Sequence, residues 1–235
     1  MKKLLVSMAV VGALLALGRD AAADVKLELG IDLSPTLLQD PAFEAFSSDD
    51  LRSDRFGGDL RLQVASLGNN IKLLPVVGYR VSLDEGDPFY QMETVLQTHE
   101  AFAGLRFRGW FKPWLGAFIQ VTGGACWAVV EGGIETWEGE GAREDYSAEA
   151  VTWTVEGLLG VEFRLSPAFL ARRGVTRFNF GGEIGVGYNR KGEMEVTPKL
   201  EGGDENSLPV RQTEPWGAVN LSGWVAQVGI TLSFF

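Results

Sequence analysis

The chain has 235 residues, a formal net charge of −10 at pH 7 and one cysteine, Cys126. A strongly acidic chain does not favour the phosphate backbone of nucleic acid, so nucleic acid is not an expected partner. A single cysteine excludes an internal disulfide. Beyond residue 23, no apolar run approaches the roughly 20 residues that a membrane-spanning helix needs. Helical membrane proteins are therefore excluded, whereas membrane-spanning strands are not.

The first 23 residues have the three parts of a secretory signal peptide. Lys2 and Lys3 are basic, residues 4–17 are apolar, and Ala21-Ala22-Ala23 offers a cleavage site before Asp24. The apolar part is shorter than a membrane helix, although an uncleaved helical anchor is the alternative. We predict that residues 1–23 form a cleaved signal peptide and residues 24–235 a single domain.

Eight segments of that domain alternate apolar and polar residues with a period of two, which is typical of strands with one apolar face. In chain order they cover residues 25–33, 56–64, 73–82, 100–107, 115–129, 151–165, 177–189 and 224–234. An even number of strands places both chain ends on one side of a closed barrel. The pattern predicts an all-β fold, an eight-stranded antiparallel up-and-down transmembrane β-barrel.

The links between these segments alternate in length. Those expected to be long cover residues 35–55, 84–94, 131–150 and 190–219, and the shorter ones cover 67–70, 108–113 and 166–176. Transmembrane barrels have this asymmetry, with short turns on one side and longer loops on the other.

Aromatic residues recur at a spacing of ten on the apolar face of three segments. The pairs are Trp153 with Phe163, Phe178 with Tyr188, and Trp224 with Phe234. Ten residues rise about 33 Å, which a strand tilt of about 45° reduces to about 24 Å. This length matches the roughly 25 Å apolar band between two aromatic girdles. We assign these residues to the aromatic girdle: Trp127, Trp153, Phe163, Phe178, Tyr188 and Trp224.

Charged residues occupy many positions on the opposite, inward face. An eight-stranded barrel is only wide enough for its own side chains to fill it, and unpaired charge there costs several kcal/mol. We therefore predict a paired charge network that plugs the interior. Its predicted members are Lys26, Glu28, Asp32, Asp59, Arg61, Arg80, Glu100, Arg106, Glu156, Glu162, Arg164, Arg177 and Glu183. The alternative is that inward glycines and scattered apolar residues leave a narrow passage.

The last strand carries a further signal at Gln227, Gly229, Leu232 and Phe234. The octet from 227 to 234 resembles the C-terminal recognition signal of bacterial outer-membrane barrels, which the barrel-assembly machinery binds. The whole pattern from Asp24 onward resembles the small barrels of the OmpA/OmpX/OmpW group. This resemblance implies the outer membrane of a Gram-negative bacterium, with membrane lipids and lipopolysaccharide as partners. Within that group it implies adhesion and membrane integrity, passage of small hydrophobic compounds, or lipid modification.

Candidate catalytic residues are few. The single histidine, His99, has Ala101 two residues later, whereas lipid A deacylases pair a histidine with a serine at that spacing. We therefore predict that the protein is not an enzyme and has no cofactor. Seven acidic residues between 131 and 149 indicate either a solvated acidic loop or oxygen ligands for Ca²⁺ or Mg²⁺. The shorter links are basic, with Lys72, Arg108, Lys112, Arg172 and Arg173, which suits anionic phospholipid heads.

The function expected from the sequence is that of an integral outer-membrane barrel protein with a structural or surface-interaction role. Its loops are then the binding surface, and its interior is plugged by paired charges. One alternative is a narrow, porin-like channel or binder for small hydrophobic molecules. Two further alternatives are a lipid-modifying enzyme and a water-soluble, lipocalin-like barrel.

Overall fold

The computed structural model describes residues 26–40, 51–67, 71–89, 92–135, 143–165, 167–174, 178–197, 199–201 and 217–234. The predicted signal peptide lies outside these residues. Strands make up nearly all of the described chain. They are β1 (Lys26–Leu38), β2 (Arg52–Gln63), β3 (Ala65–Leu67), β4 (Ile71–Phe89), β5 (Met92–Lys112), β6 (Leu115–Glu135), β7 (Arg143–Arg164), β8 (Phe178–Lys191), β9 (Met194–Val196), β10 (Lys199–Glu201), β11 (Gly217–Val219) and β12 (Gly223–Phe234), with one short helix, α1 (Pro167–Arg172).

The strands close into the predicted eight-stranded antiparallel barrel. The order around it is β1, β2, β4, β5, β6, β7, β8 and β12, and β12 returns to pair with β1. The short β3 continues β2 along the edge of β4 after an interruption at Val64. Leu27 lies opposite Phe234, so the first and last described strand ends are neighbours. We call this end of the barrel the terminal end and the opposite end the loop end.

The outward face of the barrel is apolar on every strand. From Gly223 to Ile230 of β12 the burial alternates residue by residue, with Val228 and Ile230 outward and Gln227 and Gly229 inward. Ile230 is 66% exposed and Ile184 is 52% exposed, although both lie in the middle of paired strands. Such exposure of large aliphatic residues leaves a continuous apolar surface around the barrel wall.

The barrel wall extends further at the loop end than the sequence suggested. Predicted links 84–94 and 131–150 are largely strand, because β4 pairs with β5 up to Phe89 and β6 pairs with β7 up to Glu135. The first link is also shorter than expected, since β1 continues to Leu38. These strand ends were missed because backbone pairing beyond an apolar band does not require apolar alternation.

The last loop-end link contains structure of its own. The short strands β9 and β11 pair with each other, and β10 extends the sheet along β7. Residues of β9 and β11 pack with inward residues of β1 and β5 to β7 in an apolar cluster at the loop end, the loop-end cap, whose buried members are Leu38, Leu96, Ala128, Val130, Tyr146, Ala148, Met194, Val196, Val219 and Leu221.

The terminal-end connections are compact. Residues 113 and 114 alone join β5 to β6, where the sequence predicted a link over 108–113. The link from β7 to β8 contains α1, followed by Gly174 at a φ of 74°, a left-handed conformation that suits glycine. Among the described residues, no helix is long and apolar enough to cross a membrane.

Candidate functional site

The interior of the barrel holds two clusters of buried ion pairs. Alternation of side chains along each strand directs every second residue inward, so charged residues from distant strands meet there. The terminal-side cluster consists of Glu28, Asp59, Arg61, Arg106, Arg108, Glu162 and Glu183. The loop-side cluster consists of Asp32, Arg55, Arg80, Glu100, Glu156 and Lys191.

Glu183 is the hub of the terminal-side cluster. Arg61 donates from Nη1 to Glu183 Oε2 at 2.7 Å and from Nη2 to Oε1 at 2.8 Å. Arg106 Nη1 also donates to Glu183 Oε2 at 2.7 Å. Arg61 also pairs with Asp59, whose Oδ1 lies 2.6 Å from Arg61 Nε. One carboxylate on β8 therefore ties β2 and β5 together across the barrel.

Arg108 forms the part of this cluster nearest to the terminal end. Its two Nη atoms donate to the two oxygens of Glu28, each at 2.6 Å. Its Nε pairs with Glu162, which also accepts from Arg106 Nη1 at 2.7 Å. Bidentate arginine–carboxylate contacts of this kind are the strongest ion pairs available to side chains.

Glu156 is the centre of the loop-side cluster. Arg55 Nη2 donates to one of its oxygens and Arg80 Nη1 to the other, both at 2.7 Å. Arg55 Nη1 also reaches Glu100 at 3.1 Å, and Lys191 pairs with the same carboxylate. Arg80 Nε also pairs with Asp32 of β1 at 3.2 Å, so this cluster joins β1, β2, β4, β5, β7 and β8.

Aromatic rings fill the space that inward glycines leave open. The ring of Phe118 lies under the guanidinium of Arg106, with Cζ 3.8 Å from the ring centroid. A Cβ on Gly160 would lie 2.5 Å from Phe118 Cζ, so only glycine leaves room for the ring. Phe102 packs in the same way against Gly78 and under Arg80. Here the glycines accommodate side chains of the interior rather than a passage.

The charges of the two clusters are nearly balanced, with six cations and seven carboxylates. All of these side chains are almost fully buried. Removing one partner of a buried pair leaves an uncompensated charge and typically costs about 3–5 kcal/mol. The two clusters are therefore sensitive to the loss of any single member, and they connect side chains across the whole barrel section.

A polar group lies on the loop-end side of these clusters. Ser53 and Ser82 donate to Asp84 Oδ2 at 2.8 Å and 3.2 Å.

Most of the predicted network residues occur in these clusters, with three exceptions. Arg164 is half-buried at the terminal end, where its Nε donates to the carbonyl of Pro113 at 2.7 Å and its guanidinium stacks on Trp110. Lys26 is half-buried at the same end. Arg177 lies outside the described residues.

The structure adds three cations that the sequence analysis missed. Arg55 and Lys191 were assigned to links, and Arg108 to a basic turn, but all three side chains are buried in the clusters. The two-residue alternation could have identified Arg55. It is an even number of residues before the inward Asp59 and Arg61, so extending the alternation of this strand toward the N-terminus places it on the inward face.

The predicted girdle residues lie outward at both ends of the apolar surface. Trp224 is 60% exposed and packs edge to face on Tyr188, with ring centroids 5.5 Å apart. Trp127 and Trp153 are exposed near the loop end, and Phe163 and Phe178 lie near the terminal end. In the predicted assembly signal, Gln227 and Gly229 face inward, whereas Phe234 is exposed.

His99 lies on the outer face of β5, and its Nδ1 is 2.5 Å from the hydroxyl of Tyr79. Ala101, two residues along, carries no nucleophile. Within the described part of the chain, no group of three or more histidine, cysteine or acidic residues is arranged to hold a metal ion.

Comparison with solved structures finds bacterial proteins with low similarity. The Ail attachment invasion locus protein of Yersinia pestis is 10% identical, with a TM-score of 0.42 over 89% of this chain and 99% of that chain. Neisserial surface protein A is 9% identical, with a TM-score of 0.41 over 88% and 96%. A major outer membrane protein of Thermus thermophilus is 14% identical, with a TM-score of 0.37 over 88% and 98%.

Neither a protein-family model nor a curated protein matches the chain. At these identities and scores, the structural likenesses carry no information about function. The fold rests on the strand pairings of the chain itself, and function has to be argued from its own side chains.

Proposed function

We propose that the protein is an integral outer-membrane barrel protein with a structural and surface-interaction role. Its interior is closed by the two ion-pair clusters, and its loop end is the surface that meets partners. The membrane assignment rests on one observation. The closed barrel has a continuous apolar outer face, and its ion-pair clusters lie in the interior.

The inverted distribution of polarity supports this assignment. In a water-soluble barrel, the large aliphatic side chains would face inward, whereas here Ile184 and Ile230 face outward and Arg61 and Glu183 are buried. Lipid solvates such an outer face, and backbone groups are satisfied because a closed barrel has no free edge. A lipocalin-like soluble barrel is disfavoured for the same reason.

The clusters support a closed interior. Guanidinium groups from β2, β4 and β5 reach across the barrel to carboxylates on β7 and β8. Phe102 and Phe118 fill space between them. A barrel of eight strands has little room beyond these side chains, and the loop-end cap adds an apolar cluster at that end.

The loop end suits contact with partners because the wall extends there well past the apolar band. The extensions of β4 to β7 present exposed polar side chains, including Glu85, Glu131 and Glu149. With both termini in the periplasm, these extensions face outward from the cell. Membrane lipids and lipopolysaccharide then surround the wall, and the barrel-assembly machinery inserts it through the last strand.

Fractionation of a Gram-negative host that expresses the full chain tests the assignment. We expect the protein in the outer-membrane fraction, with residues 1–23 removed, and we expect protease added to intact cells to cut only at the loop end. Recovery in the periplasm as a detergent-free soluble protein would overturn the proposal.

The alternative function, binding of a small hydrophobic molecule, has less support. The cavity in the loop-end cap, lined by Leu96, Val130, Met194 and Val196 among others, has a volume of about 10 Å³, which is room for about one water molecule. A hydrophobic fluorescent probe is therefore expected not to bind in a saturable manner. Saturable binding that is lost in Ala128→Phe, with the barrel still folded, would favour this function instead.

We do not propose an enzymatic role, because His99 contacts the phenol of Tyr79. His99→Ala tests this directly. Lipid A from cells expressing the native protein and from cells expressing the variant should have identical masses. A mass difference between the two would establish lipid modification.

A further inference from the structure

A polar pocket opens at the terminal end of the barrel, below the terminal-side cluster. Its cavity has a volume of about 30 Å³ and is open to solvent on one side. Side chains from the ends of seven barrel strands line it, among them Lys26, Lys72, Arg108, Arg164, Thr231 and Ser233. This pocket has no part in closing the interior or in contacts at the loop end.

The pocket has an excess of positive charge. Four cations line it, against the carboxylates of Glu28 and Glu162, and Arg108 already pairs with both of these. When the rest of the terminal-side cluster is included, cations still outnumber carboxylates by two. Even if Lys26 is set aside, one cation remains in excess. The field at this mouth therefore favours an anion.

Two of the cations also have more N–H donors than their observed hydrogen bonds use. Lys72 Nζ donates to the neutral amide oxygen of Gln63 at 3.0 Å, and Arg164 Nε donates to the backbone carbonyl of Pro113. An ammonium has three N–H donors and a guanidinium has five, so each side chain has more donors than that bond uses. Both are half-buried, so they are accessible from the open end while partly shielded from water.

Trp110 gives the pocket rigidity and a reporter. The guanidinium of Arg164 lies 3.9 Å from the centroid of the indole, and that of Arg108 lies 5.7 Å away. Contact with the ring and the hydrogen bond to Pro113 restrict the Arg164 side chain before any ligand arrives. A planar fork of donors beside a point cation is the arrangement that binds phosphate oxygens.

We propose that this pocket, bounded by Lys72, Arg108 and Arg164, binds a phosphate group from the side of the membrane where the chain termini lie. The phosphate is either that of an anionic phospholipid head in the adjoining leaflet or a free phosphate. The pocket does not depend on the membrane assignment; only the lipid source rests on the proposed function.

The test uses the refolded full barrel in maltoside micelles, which contain no phosphate. Inorganic phosphate and the short-chain lipid dihexanoyl-phosphatidylglycerol are titrated separately at constant ionic strength, with chloride as the reference. The indole N–H resonance of Trp110 reports binding. A saturable shift with inorganic phosphate identifies a free-phosphate site, and a shift with the lipid alone identifies a headgroup site. The absence of a shift with both probes overturns the proposal.

Charge-removing variants provide the matched comparison. Arg164→Gln and Lys72→Gln should each weaken binding about tenfold or more, since each removes a charged hydrogen-bond donor. Arg172→Gln removes an exposed cation from the same end and should bind like the native protein. Heat-shifted gel migration confirms that each variant is folded. Equal affinity for the native protein and the two pocket variants, or an equal loss in Arg172→Gln, contradicts the assignment.

Discussion

Replacement of Glu183 by glutamine is the sharpest perturbation of the ion-pair clusters. The carboxylate accepts three short bonds, two from Arg61 and one from Arg106, all between 2.7 and 2.8 Å. Hydrogen bonds to charged groups contribute about 1.5–3 kcal/mol each, but they are not additive, and glutamine keeps one acceptor oxygen. Because two guanidinium groups lose their common counter-charge while still buried, we expect a loss of about 3–5 kcal/mol in the free energy of unfolding.

Urea unfolding of the barrel in phospholipid vesicles, followed by tryptophan fluorescence and gel migration, measures this loss. Glu195→Gln is the matched control, because it makes the same chemical change at an exposed position of β9. The control should unfold at the native urea concentration. A folded Glu183→Gln barrel that loses less than about 1 kcal/mol would refute the argument, since it would show that these arginines do not depend on the carboxylate.

Two further outcomes follow from the same structure. Ile230→Arg should destabilise the barrel by about 2–4 kcal/mol in vesicles, whereas Leu83→Arg, which lies nearer the loop end of the wall, should cost much less. Gly104→Ala should cost about 1–3 kcal/mol because the new Cβ would overlap the backbone oxygen of Val121, whereas Gly157→Ala meets nothing within 4 Å.

Each of these outcomes has a contrary result. Equal costs for the two arginine variants would place the apolar band elsewhere on the wall. An unchanged unfolding midpoint for Gly104→Ala would mean that the strands around it are spaced more widely than described.

The alternation of residue types predicted the fold because a two-residue period determines which side chains face inward. Arg61, Arg106 and Glu183 were assigned inward on parity alone, and their burial agrees with that assignment. Which of these residues pair with each other could not be predicted. Arg61 and Glu183 are 122 residues apart, and they meet only because of the register in which the strands close the barrel. Residue types set the face of a strand, whereas shear and stagger decide which inward residues meet.

The ends of the strands were predicted less well, for a physical reason. The pattern of apolar residues stops where the apolar band stops, but hydrogen bonding between strands continues beyond it. Arg55 and Lys191 lie in these extensions and were therefore assigned to links. The terminal-end pocket was missed for a different reason, because it is formed by the ends of strands that are far apart in the sequence.

Solute flux through liposomes carrying the refolded protein tests the central claim of a closed interior most directly. Heat-shifted gel migration would confirm folding in the same samples, and a large porin would serve as the positive control. The two ion-pair clusters predict sugar and ion leakage equal to that of empty liposomes. Leakage well above that level, with the protein folded, would contradict the closed interior and favour a conducting barrel.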